Sequence, residues 1–249
     1  MYWEAKTLKG RAKNVLRDHY WEYLLAVVVC GLVIGYSLQV TVNINIKGQN
    51  FRTLRDFVIY LIAYIQKYYP TIIGSVALSS AGKTLWRIFA ANPIEVGSCR
   101  YRTLATYGRF DFQNIFYSFS SGRYIKIVIT MFLKSLYQFL WGLLLVIPAI
   151  IKGYSYFMVP YIMAENPEIS YDRAFEISKA VTKGEKWRMF LLDLSFLGWY
   201  MLGALCLGVG VFFVMPYHYS TLAELYGALR FKAVRSGVVN PSEIGAELF

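Results

Sequence analysis

Apolar stretches of about twenty residues alternate along this chain with short segments where lysine and arginine collect. That alternation limits the fold more than any other feature. "YLLAVVVCGLVIGYSLQV" follows Lys6, Lys9, Arg11, Lys13 and Arg17. It is longer than the apolar core of a cleaved leader, and no small-x-small site closes it, so it reads as a retained first span over 20–42. The composition agrees: 57% of residues are hydrophobic and only 16% are charged, against about 25% charged in an average soluble domain. The net charge of +11 is dispersed between the apolar runs rather than gathered into a basic domain. Such dispersal marks membrane topology and argues against nucleic acid.

Further spans follow. "PTIIGSVALSSAGKTLWRIFAANP" opens at Pro70 and is expected to end near Asn92-Pro93. A third span runs from Tyr124 to Ile147, with a turn at Pro148, and a fourth reaches Glu165. A fifth begins at Trp187, and a sixth follows the Gly208–Gly210 turn to Leu229. The stripe from Phe57 to Ile65 and the segment "DFQNIFYSFSSG" are too short to cross and read as interfacial helices. The expected fold is therefore an all-α integral membrane bundle of about six transmembrane helices plus one or two amphipathic interfacial helices. Residues 1–235 form one polytopic membrane domain, and 236–249 a mobile cytoplasmic tail. With the N-terminus inside, eighteen basic residues fall on the inner side and four on the outer. That bias predicts a cytoplasmic (inner) membrane protein with both termini cytoplasmic.

One charged segment lies between two apolar ones. Ser170 is placed to cap a helix that Gly184 ends. Asp172, Glu176, Lys179 and Lys183 share one face, and Tyr171, Ala174, Phe175, Ser178 and Val181 the other. Such a helix lies flat on the membrane surface or against the bundle, apolar face inward.

This region also carries a resemblance. "YSYFMVPYIMAENPEIS", "AFEISKAVTKGEKWRMF" and "GVGVFFVMPY" are similar to the bacterial membrane family known as domain of unknown function nine-seven-five. Pro160, Tyr161, Asn166 and Pro167 carry the match, with Gly184, Trp187, Pro216 and Tyr217 further on. "NPIEVG" and "LWGLLLVIP" fit as well, with Pro148-Ala149 where the family usually has Pro-Gly. More remotely, that family resembles the membrane domain of some glycerophosphodiester phosphodiesterases. The resemblance implies a polytopic helical protein and brings no catalytic residues. "FMVPY" near Glu165 and "FVMPY" near Glu224 also echo one another, as duplicated hairpins do in transporters.

Motifs for chemistry are sparse. No phosphate-binding loop, nucleophile elbow or zinc-binding pair occurs. Cys30, Cys99 and Cys206 are scattered, and neither His19 nor His218 has a metal-ligand neighbour four residues on, so no metal or cofactor is expected. Charged residues inside the spans carry more information, because each needs compensation in lipid. Lys83, Lys134, Asp193 and Glu224 all fall about 9–12 Å from the inner edge of a ~30 Å core. They are expected to form one layer in which Asp193 and Glu224 neutralise Lys83 or Lys134. The chain thus reads as a non-enzymatic membrane protein, either a transporter component or the membrane partner of an exporter for a lipid, peptide or small molecule. The alternative is an intramembrane scaffold or tolerance factor. Membrane lipids and a second membrane protein or exporter subunit are the partners this implies.

Overall fold

The structure, a computed structural model, describes residues 3–35, 55–56, 58–60, 62–63, 80–120, 122–205 and 208–244. Every regular element among them is helical, and the fold is an all-α membrane bundle. Four segments are long and apolar enough to cross a membrane: Ala5–Gly35, Tyr124–Leu144, Val146–Glu165 and Lys186–Leu205. The end of the expected first span, the start of the second and part of the 57–65 stripe lie outside the described residues.

The first helix, α1 (Ala5–Gly35), starts earlier than expected because the basic N-terminal segment is itself helical. Leu8, Ala12 and Leu16 recur every four residues and are buried, so this segment is amphipathic and docks on the bundle. Regular geometry lapses at His19 (φ −124°, ψ 29°), whose ring stacks on Phe110 at 4.1 Å.

Asn92-Pro93 does not end a helix. The chain runs helically from residue 80 through a π turn at Arg87–Ala91 into α2 (Asn92–Ala105). Pro93 has no N–H, so the Phe89 carbonyl four residues back loses its helical donor. The Tyr124 hydroxyl supplies one at 2.5 Å. The π turn absorbs the mismatch through the wider bond from Asn92 N–H to the Arg87 carbonyl. Beyond α2, Asp111 accepts from Gln113 N–H at 3.0 Å and caps a 3-10 turn, Phe112–Phe116. One α turn, Tyr117–Ser120, completes the segment expected as a single short helix.

Helices α3 (Tyr124–Leu144) and α4 (Val146–Ser155) form a hairpin that turns at the extended Leu145, not at Pro148. Pro148 falls in the first turn of α4, where a missing N–H breaks no helical bond. A break at residues 156–158 then separates α4 from α5 (Val159–Glu165). All seven residues of α5 are buried, making it the centre of the core.

The charged helix α6 (Tyr171–Val181) forms as its local signals require. Ser170 Oγ accepts from Arg173 N–H at 3.3 Å, and Gly184 has the positive φ (83°) of a helix stop. Its apolar face lies against the bundle: Ala174, Phe175, Ser178 and Val181 are buried, whereas Tyr171 is exposed. Phe175 meets Tyr137 and Tyr156 edge-on at 5.4 and 5.2 Å. Ser178 also mends the break between α4 and α5, accepting from Met158 N–H at 3.2 Å and donating to the Ser155 carbonyl at 2.7 Å.

Helices α7 (Lys186–Leu205) and α8 (Val209–Arg235) make the last hairpin. They approach backbone to backbone, since a Cβ on Gly210 would lie 2.6 Å from Gly203 Cα. Pro216 sits inside α8, whereas Pro160 opens α5, so the two echoing sequences build different elements. Of the expected tail, the described residues 236–244 pack against the bundle. Val239 and Ile244 are buried, and Glu243 takes two N–H bonds from Arg173 at 2.9 and 3.2 Å. The Arg173 bonds, with Asn240 N–H, hold the Glu243 carboxyl below its usual range. Apolar side chains crowd the outside of both hairpin tips. Leu144 and Ile147 are 68% and 72% exposed, and Leu205 is 81% exposed. The opposite end carries the ion pairs of Arg173, Glu185 and Lys232.

Candidate functional site

Several helices turn stripes of side chains toward one cavity of about 530 Å³. From α1 come Ala26, Cys30 and Ile34, and from α8 Met215, Tyr219 and Leu222. From α2 come Glu95, Ser98 and Arg102. These offsets of three, four, seven and eight place each stripe on a single helical face. Gly153, Phe157, Pro160 and Tyr161 close the remaining wall, and Lys134 reaches in from α3. The α1 wall is thin because Ala26, Cys30 and Gly31 are small.

Two polar features stand in otherwise apolar walls. Glu95 and Lys134 form an ion pair at 2.8 Å. Seven residues further along α2, or about 10 Å, lies Arg102. Its Nε donates to the Ser98 carbonyl at 3.0 Å, and its Nη2 to Ser98 Oγ at 2.7 Å, with Cys99 Sγ at 3.5 Å. The guanidinium lies 4.7 Å from the Tyr219 ring centre. Among the described residues no carboxylate lies within ion-pair distance of Arg102. Among the described residues the arrangement therefore leaves Arg102 without a paired anion, facing an apolar space.

The four spanning charges do not pair with one another among the described residues. Lys134 is taken by Glu95. Asp193 accepts from the Tyr154 hydroxyl at 2.8 Å, and its other oxygen lies 3.2 Å from His218 Nε2. His218 Nδ1 is 2.9 Å from the Tyr200 hydroxyl, so this network joins α4, α7 and α8. Glu224 is half-buried within electrostatic reach of Arg11, and Lys83 is half-buried on the helical run before the π turn. A third cluster, absent from the sequence reading, is the most enclosed. Glu165 is 6% exposed and accepts from Tyr226 and from Arg230, which also donates to Tyr107.

The other motif residues serve this frame. Tyr161 lines the cavity and stacks on Tyr226 at 4.6 Å. Asn166 donates to the Glu243 carbonyl at 3.0 Å and accepts from Glu168 N–H at 3.0 Å, shaping the turn at Pro167. Tyr217 packs edge-on against Phe196 at 5.2 Å, while Trp187 is exposed and stacks on Phe190.

Residues 142–233 match the model of a family described as protein of unknown function (DUF975). The match runs from the end of α3 through α8, so it holds the α5 and α8 walls of the cavity but not α1 or α2. The remoter likeness to phosphodiesterase membrane domains gains no support from it. No curated protein and no solved structure matches the chain.

Proposed function

We propose that this chain is a non-enzymatic membrane protein that admits a small molecule or lipid to its cavity, as a transporter component or as the membrane partner of an exporter. The observation that carries this reading is the cavity itself. Its volume of about 530 Å³ falls in the range of small-molecule sites, and its walls are apolar with a few convergent polar groups. Charged side chains at membrane depth favour a ligand path over a plain scaffold, because a scaffold gains nothing from an unpaired cation there. The excess of basic residues at one end supports cytoplasmic termini.

The test is access from both sides. Cys30 and Cys99 line the cavity. In a Cys206→Ser background they are the reporters for impermeant thiol reagents applied to intact cells and to inverted vesicles. A transporter exposes Cys99 to each side in turn, and a saturating ligand slows both reactions. Reactivity from one side alone would favour the scaffold, and no reactivity from either side would end the reading.

A further inference from the structure

We propose that the cavity is selective for a monoanionic amphiphile, its one carboxylate or phosphodiester group held by Arg102 and its single apolar chain lying along α1 and α8. This rests on the cavity being a ligand site and adds what the ligand is.

Charge sets the head group. The cavity holds two cations, Lys134 and Arg102, and one anion, Glu95. Lys134 and Glu95 neutralise each other at 2.8 Å, which leaves one positive charge in excess. A guanidinium offers five N–H donors. Ser98 and Cys99 take those of Nε and Nη2, and Nη1 has no acceptor among the described residues. The Tyr219 ring offsets only part of the cost of a cation held away from water. A single negative charge cancels the excess, and a planar carboxylate or a phosphate oxygen suits the free edge of the guanidinium. A neutral ligand would leave the charge unmet, and a dianion would reverse it. A second unused donor lies in the same wall, since the Tyr101 hydroxyl is buried without a partner among the described residues.

Size sets the tail. A cavity of about 530 Å³ is of the size that small-molecule ligands fill, enough for a head group and one apolar chain. Ala26, Ile34, Met215 and Leu222 give that chain an apolar bed. Gly31 leaves room beside it, for a Cβ there meets nothing within 4 Å.

The experiment measures radiolabelled dodecanoate binding to the full chain in phosphatidylcholine nanodiscs, with empty nanodiscs subtracted. Saturable binding is expected, with dodecanol competing at least about tenfold more weakly than unlabelled dodecanoate. Arg102→Met should weaken binding by roughly tenfold or more, as the loss of a charge-assisted bond does, and Arg102→Lys should recover most of it. Gly31→Phe should block binding while leaving Arg102 in place, which keeps the test decisive if Arg102→Met fails to fold. Competition by single-chain lysophosphatidylglycerol would assign the anion to a lipid head group, and its absence to a free amphiphile; both support the proposal. Equal competition by dodecanol, or unchanged binding to folded Arg102→Met, would overturn it. Two-sided access to Cys99 without anion preference would overturn this assignment and leave the transport reading intact. Anion preference with one-sided access would do the reverse.

Discussion

Gly97→Ala is expected to cost more than about 3 kcal/mol and to deplete the folded, monodisperse protein. A Cβ at Gly97 would lie 1.8 Å from the Ile115 carbonyl oxygen and 2.6 Å from its carbon. Both are backbone atoms of the 3-10 turn that packs on α2, so no side chain can swing away. Helix propensity pulls the other way, as alanine gains up to about 1 kcal/mol over glycine in a helix interior. The overlap should prevail. Gly227→Ala is the control, since a Cβ there meets nothing within 4 Å, and only the propensity gain should appear. Thermal melting in detergent reads both variants. Equal stabilisation of the two would mean that α2 and the Ile115 turn are not in contact.

The second large effect concerns Glu165 and Arg230. Glu165→Leu should destabilise the bundle by about 3–5 kcal/mol, because it strips a buried guanidinium of its anion. Arg230→Met should cost a similar amount, leaving the carboxylate with the Tyr226 hydroxyl and the more distant charge of Arg100. The double variant should be more stable than either single one, since two apolar side chains leave no charge unmet. Melting of the three variants closes the cycle. Strictly additive losses would show that the two side chains do not act as a pair.

Local rules carried far along this chain. The Ser170 cap, the Gly184 stop and the amphipathic pattern of 171–181 are all short-range signals, and α6 obeys them. Close packing of Gly203 on Gly210 follows from the same small-residue logic. Pro93 shows where such rules mislead. Asn-Pro reads as a helix end, but a π turn and the Tyr124 hydroxyl satisfy the backbone that Pro93 leaves open. The misreading had a consequence for the site, because it placed Glu95 beyond the span and hid the natural partner of Lys134.

Pairing among the spanning charges was out of reach for a related reason. Counting residues gives depth along a helix but not the direction a side chain faces, so four charges at one depth looked like one layer. Asp193 instead turns toward His218, which a count of Lys, Arg, Asp and Glu passes over. The docking of 236–244 left little trace in the sequence, because its two anchors, Val239 and Ile244, lie five residues apart in a short segment rich in polar and turn residues. The cavity left a fainter trace in the small residues of α1 and in Glu95, Ser98 and Arg102 at helical spacing. No single helix shows that such faces converge.

The central claim is that this cavity is a binding site headed by Arg102, and an experimental density map tests it most directly. Protein extracted from its own membrane into a neutral detergent should show elongated non-protein density between α1, α2 and α8, its polar end against the Arg102 guanidinium. A map in which the side chains close that space, with Glu95 released from Lys134 and paired to Arg102, would contradict the account.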